Sequence, residues 1–217
     1  MTTLIFTHYG VSPYLVKTME FANYSNPDVD KILIGDASNK KLAIDSGWTW
    51  IDVDGYSTNR IKAFNDSFVT VSGSRHADIK NNRNWTHYVF YRWFVIEEVL
   101  SRLGLDEFWH FDSDTLILEN LSAYDYLQSQ YVSMMQCNSM CLNGFIKSSI
   151  VNLYCDSLLR QFKDDVLLER YRREFEIEKY YAFTEMRGFE NFLLEHPLPV
   201  VSGMELSRQF VFDDCLC

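Results

Sequence analysis

The stretch Glu107-Phe108-Trp109-His110-Phe111-Asp112-Ser113-Asp114-Thr115-Leu116-Ile117-Leu118 governs the reading of this chain. An aromatic, apolar run rises to two carboxylates one residue apart, Asp112 and Asp114, and a second apolar run, Thr115 to Leu118, leaves them. The first run has the length and composition of a buried strand, and buried strands do not carry unpaired carboxylates cheaply. The two acids are therefore expected at the strand's carboxyl edge, where open α/β sheets bind ligands. Period-two alternation would then point both carboxylates to the same side. Such a site is small, hard and doubly negative, suited to Mg²⁺ or Mn²⁺ and a phosphate-bearing ligand.

Upstream, the chain alternates strand and helix. Thr3 to Thr7 is a β-branched and aromatic run that reads as a strand, broken by His8-Tyr9-Gly10. Ser12 and Pro13 read as N-cap and first helical residue, with Leu15, Thr18, Met19 and Ala22 on the inner face. A second strand, Lys31 to Ile34, ends at Gly35-Asp36; a short helix from Asn39 to Asp45 stops at Ser46-Gly47; Trp48 to Val53 reads as a third strand. The polar stretch from Gly55 to Asn84 is long for a plain connection and is expected to hold a short helix or a loop over the site. Trp85 to Leu103 is the clearest periodic segment. Val89, Trp93, Ile96, Leu100 and Leu103 form its apolar stripe, Asn84 its N-cap and Gly104 its stop, with Arg92 on the opposite face.

Beyond Leu118 the pattern is mixed. A short helix from Ser122 to Leu127, strands over Tyr131–Met135 and Leu142–Ile146, a helical region from Ser148 to Glu178 in two pieces, a helix from Thr184 to Leu194 and a last strand at Leu198–Val201 are expected. The whole predicts an α/β fold: a single Rossmann-like domain over 1–217, with a mostly parallel central sheet flanked by helices and a mixed C-terminal half.

Bulk composition narrows the function. The 217 residues are 47% hydrophobic and 16% aromatic, ample for one large core. No apolar run reaches the roughly 18 residues of a membrane span, and the start lacks the basic and apolar regions of a signal peptide. The formal net charge of −10 argues against general nucleic-acid binding, which needs basic surface, but leaves room for a nucleotide held by a few groups and a cation. Five cysteines (Cys137, Cys141, Cys155, Cys215 and Cys217) form no paired framework; reduced thiols and a cytoplasmic setting are expected. Cys137 and Cys141 lack a second Cys/His pair for zinc. The chain could be one domain of a longer, multidomain protein.

Three Asp-x-Asp triplets occur. Asp28/Asp30 reads as a solvated turn before a strand. Asp52/Asp54 begins like a calcium loop, but its twelfth position is Ala63 rather than a bidentate Glu, so strand-end polarity is its reading. Asp112/Asp114 alone has strong apolar runs on both sides. A dehalogenase-type phosphatase fits poorly, because Thr115 stands one place early and the motif lies mid-chain. A sugar-1-phosphate nucleotidyltransferase would want a Gly-rich, basic loop after the first strand, where His8 to Pro13 offer one Gly and no Lys or Arg. A non-catalytic domain binding sugar nucleotides or a protein partner stays open.

From Thr3 to Leu118 the chain resembles a GT-A-fold glycosyltransferase of the nucleotide-diphospho-sugar transferase superfamily, on its first strand, the Asp36 strand end, Tyr91-Arg92-Trp93 and Phe111-Asp112-Ser113-Asp114. The resemblance implies a donor half over 1–118 and an acceptor half over 119–217. It also implies a metal-dependent transfer from a nucleotide-diphosphate donor, a UDP-sugar, to a glycan or other hydroxyl acceptor, read as inverting. Asp114 would bind Mn²⁺ or Mg²⁺ directly; Asp112 would reach the ribose, or the metal through water, with Ser113 between them in the donor-binding set. Thr7, His8, Tyr9 and Gly10 would line the base pocket, or form an ordinary βα turn. Asp36 would hydrogen-bond the uracil or ribose, or cap the next helix, and Arg92 would meet the diphosphate, or form a surface ion pair. Asn143-Gly144 resembles the acceptor-side turn after the metal motif. Glu185 would deprotonate the acceptor, with Glu190 a weaker rival; an acid in the first turn of a helix also simply favours the helix dipole.

Overall fold

The computed structural model describes residues 2–71, 82–135, 142–178 and 183–202. Cys137, Cys141, Cys215 and Cys217 lie outside them, as do Arg75 and His76.

The periodic segments become strand and helix close to where the pattern puts them. In order these are β1 (Thr3–His8), α1 (Tyr14–Ser25), β2 (Asp30–Gly35), α2 (Lys40–Asp45), β3 (Thr49–Asp52), α3 (Asn59–Ser67), α4 (Asn82–Leu103) and β4 (Glu107–Asp112). A 3-10 helix (Leu121–Ser129) replaces the short α-helix expected there. Then follow β5 (Ser133–Met135), β6 (Leu142–Lys147), α5 (Ser148–Gln161), α6 (Asp165–Ile177), α7 (Glu185–Glu195) and β7 (Val200–Ser202). The long polar stretch before α4 does hold a short helix, α3, capped by Thr58, whose hydroxyl accepts from the Ile61 N–H. Helix α4 starts before its expected cap, so Asn84 lies inside it. Its end is as expected: Gly104 takes φ of +65°, and the Leu105 N–H returns to the Leu100 carbonyl at 3.0 Å. That is the bond of a glycine-stopped helix.

The sheet order is β3-β2-β1-β4-β6-β5-β7. Strands β1 to β4 are mutually parallel, β6 is antiparallel to both β4 and β5, and β7 is parallel to β5. Only β6 therefore runs against the rest. Alternation along the strands feeds two cores. Leu4, Phe6, Leu33, Trp109, Phe111 and Phe145 meet the buried faces of α1 and α2 on one side. Ile5, Ile32, Ile34, Phe108 and Ile146 meet α3 to α7 on the other. Helix α4 is enclosed by the sheet, α3 and α5, so Phe90, Phe94, Val95 and Val99 are buried along with Val89, Trp93, Ile96 and Leu100 of its expected stripe, while Leu103 at its end is exposed. Among the described residues, no helix is long and apolar enough to cross a membrane.

Candidate active site at the β1–β4 switch point

Strand β2 lies on one side of β1 and β4 on the other. The chain thus reverses its direction of travel across the sheet between β1 and β4, and the crevice beyond their carboxyl ends is where such sheets bind ligands. Thr7 of β1 is in register with Asp112 of β4. The donor-side residues expected from the sequence at strand ends, Thr7 to Gly10, Asp36 and Asp112 to Asp114, all lie at this edge, while Arg92 comes from α4.

The β1–α1 turn is held from the β2 side. Gly10, with φ of +84°, donates its N–H to Asp36 Oδ2 at 2.6 Å. The other oxygen, Oδ1, accepts from the Ser38 N–H at 2.8 Å and the Ser38 hydroxyl at 2.5 Å. Partial burial would raise the Asp36 pKa, but these hydrogen bonds outweigh it and hold the group below its usual value. Asp36 does not cap α2: Asn39 stands at that N-cap position, and its buried side chain instead donates to the carbonyls of His8 and Gly10. Tyr9 is half exposed and leans on Tyr88 of α4, ring centres 5.5 Å apart. His8 is buried beside the edge of Tyr14, and its Nδ1 lies 2.8 Å from the Ser113 hydroxyl.

On the β4 side, the two carboxylates are engaged unequally. Strand β4 ends at Asp112, and the Thr115 N–H closes a turn on the Asp112 carbonyl at 2.9 Å. Period-two alternation stops where the extended backbone stops; Asp112 is half-buried against Arg92 while Asp114 is exposed. Asp112 Oδ1 accepts from Arg92 at 2.6 Å, and its backbone N–H donates to Asn143 Oδ1 at 3.1 Å. Among the described residues, no ion pair or hydrogen bond engages the Asp114 carboxylate, and no group of three or more His, Cys, Asp or Glu converges on one point.

Arg92 also corrects the sequence reading. It does not stand on an exposed face opposite the apolar stripe; it is buried, because α4 is packed on nearly all sides. A buried guanidinium needs carboxylates, and it has two: Asp112, and Glu185 Oε1 at 3.3 Å. Burial would raise the Asp112 pKa, but Arg92 outweighs it and holds the group below the usual value. Glu185 goes the other way. Burial, reinforced by nearby Asp112, pushes its pKa up to about 7 in spite of Arg92. Its Oε2 is buried without a hydrogen-bond partner. Thr184 is the N-cap residue of α7 as expected, although its side chain makes no capping bond. Tyr154 of α5 fixes that end of the helix, donating its hydroxyl to the Glu185 carbonyl at 2.7 Å.

The sequence reading missed Asn39, Tyr88 and Tyr154 at this site. A buried Asn bonding two carbonyls, or a Tyr reaching a helix end from another helix, leaves no local pattern. Asn143-Gly144 is not in the acceptor-side turn that the resemblance implied; it lies inside β6, within the strand expected over Leu142–Ile146. There, Gly144 is required because a Cβ would come within 2.8 Å of Met134.

No family model and no curated protein sequence matches the chain. Among solved structures, a chain described as PaToxG glycosyltransferase superposes with a TM-score of 0.53 over 91% of this chain and 69% of that one, at 14% identity. The likeness is one of fold. It places the seven-stranded, mostly parallel sheet described above in a Rossmann-like architecture shared with a glycosyltransferase.

Proposed function

We propose that this chain transfers a sugar from a nucleotide-diphosphate donor, a UDP-sugar, to a hydroxyl acceptor. The observation that carries this reading is the set of charged groups gathered at the β1–β4 switch point. It sets an exposed acid, Asp114, beside the half-buried Asp112, which pairs with buried Arg92 and through it with buried Glu185, in a fold shared with a glycosyltransferase.

In this reading the donor lies across the carboxyl ends of β1 and β4. Tyr9 offers a half-exposed ring against which a base can stack. Gly10 lets the backbone come close to it. Asp36 acts mainly through the turn, since the Gly10 and Ser38 donors occupy its oxygens. The donor set fits a divalent cation of the Mn²⁺ or Mg²⁺ kind: Asp114 is exposed and uncommitted, and such ions are commonly held by one or two carboxylates with substrate phosphates and water. Bound there by Asp114, with Asp112 through its second oxygen, the cation would offset the diphosphate charge.

Arg92, fixed by two carboxylates, keeps a positive charge below the crevice. Glu185 has the chemistry of a general base. It titrates near neutrality, and one oxygen is unpartnered. It would take the acceptor's hydroxyl proton as the acceptor oxygen bonds to the sugar and the bond to the diphosphate oxygen breaks, releasing nucleoside diphosphate. A base acting on an acceptor opposite the leaving group corresponds to inversion.

Isothermal titration with UDP and Mn²⁺ tests the donor reading. The expected result is binding that is weakened at least tenfold by EDTA and by Asp114→Ala. An absence of UDP binding, or binding indifferent to both, would remove the metal-bridged donor. The anomeric configuration of donor and product by NMR tests inversion.

A further inference from the structure

Strands β1 and β4 are in register up to Thr7 and Asp112, so His8 and Ser113 are the first residues beyond the last paired rung. Both are buried, at 5% and 7% exposure, and the imidazole Nδ1 stands 2.8 Å from the Ser113 hydroxyl. A side-chain hydrogen bond therefore continues the sheet one step past the backbone ladder, across the switch point. Its two ends are fixed unequally. The His8 backbone is tied down by Asn39 on its carbonyl and by the neighbouring Gly10–Asp36 bond. Among the described residues, the Asp112–Thr115 turn otherwise has its own closing bond and the anchors on Asp112. Ser113 sits between Asp112, paired with Arg92, and the exposed Asp114.

We infer that His8 is a positioning residue: through Ser113 it clamps the Asp112-Ser113-Asp114 turn and so fixes Asp114 in the crevice, rather than contacting the base of a donor. The clamp is a property of the ligand-free fold, while its effect on donor binding rests on the transferase reading. A sheet in which only the backbone ladder set the turn would lose that control at Asp112. A neutral imidazole suits the task, since it makes one defined bond to the hydroxyl in either tautomer and adds no charge beside the acids.

Double-mutant cycles with His8→Phe, Ser113→Ala and the double variant test this in the full chain. His8→Phe keeps a ring of similar size and removes the nitrogen; His8→Asn, which presents an amide atom near the Nδ1 position, is the rescue variant. In ligand-free protein, urea midpoints are expected to be non-additive, the double variant losing no more than the worse single one. Additive losses would overturn the clamp. In titrations with UDP, with and without Mn²⁺, His8→Phe and Ser113→Ala should each reduce the gain in UDP affinity that Mn²⁺ confers by about five- to tenfold, the scale of one lost hydrogen bond. Metal-free UDP affinity should stay unchanged, and His8→Asn should restore most of the gain. Loss of metal-free affinity in His8→Phe would instead assign His8 to the base pocket and overturn the inference. If the wild-type chain binds no UDP while the ligand-free cycle is non-additive, the transferase reading falls and the clamp stands.

Discussion

A carboxyl in the first turn of a helix ordinarily ionises near its reference value of 4.5, and the helix dipole favours the charge. Glu185 departs from this because the first turn of α7 is buried there, and burial outweighs the nearby Arg92. With its pKa raised to about 7, the folded chain holds a proton there that the unfolded chain has already released. The associated stability is fully present below about pH 4.5 and is lost as pH rises through 7. The wild-type urea midpoint should therefore fall between pH 5 and pH 8 relative to that of Glu185→Gln, whose amide does not titrate. In transfer assays the wild-type kcat should rise on an acid limb near pH 7. Glu185→Gln should lose about 10²-fold or more, the usual worth of a positioned base. His110 carries the opposite sign. Buried in β4 against Trp93, its pKa is pushed down to about 3 by burial and then by Arg92. A depressed imidazole pKa contributes stability above the unfolded value near 6.5, lost as pH falls towards 3. Nitrogen-15 NMR should find His110 neutral at pH 5; a protonated ring there would contradict its buried setting.

Among elements, β6 is the pivot of the site. It runs against its neighbours, links β4 to β5, and supplies Asn143, whose side chain accepts from the backbone of Asp112 where β4 ends. Gly144 lets β5 approach, with φ of +122° and Met134 against the place a Cβ would fill. Gly144→Ala should cost about 1–3 kcal/mol by strain and overpacking, read from urea unfolding. A loss near zero would mean that β5 can move away without consequence. The apolar run Leu142–Ile146 showed the strand, and only the resemblance suggested a turn at Asn143-Gly144; the pattern does not report which neighbouring strand demands the glycine. Helix α4 teaches the same limit. Its stripe was legible from the spacing of Val89, Trp93, Ile96 and Leu100, yet Arg92 was assigned to an outer face. A helix enclosed on several sides still shows one dominant stripe, and only its packing tells whether the polar face has water or partners.

Across the whole molecule, two cores lie back to back on one sheet, and β4 faces both. Phe108 enters the core with α4 and α5, while Trp109 and Phe111 stack in the core with α1. The site is thus anchored by large apolar groups immediately behind its acids. Trp109 has no exposed surface, so Trp109→Ala should destabilise the chain by about 3–5 kcal/mol. Because β4 is central, that loss should appear as one cooperative transition; separate unfolding of the two halves would show that the sheet does not act as a unit.

The order of strands and helices, the parallel first half, the carboxyl-edge position of the Asp112 motif and the Thr184–Glu185 helix start were all determined by the sequence alone. Each of these follows from local periodicity, turn residues and the cost of burying a charge. The pairing of Asp112 with Arg92, the burial of Arg92, its bond to Glu185 and the pairing of His8 with Ser113 were decided only by the tertiary structure. These contacts join residues up to 105 positions apart. Their energies come from desolvation and geometry at a shared edge, which no stretch of sequence carries by itself.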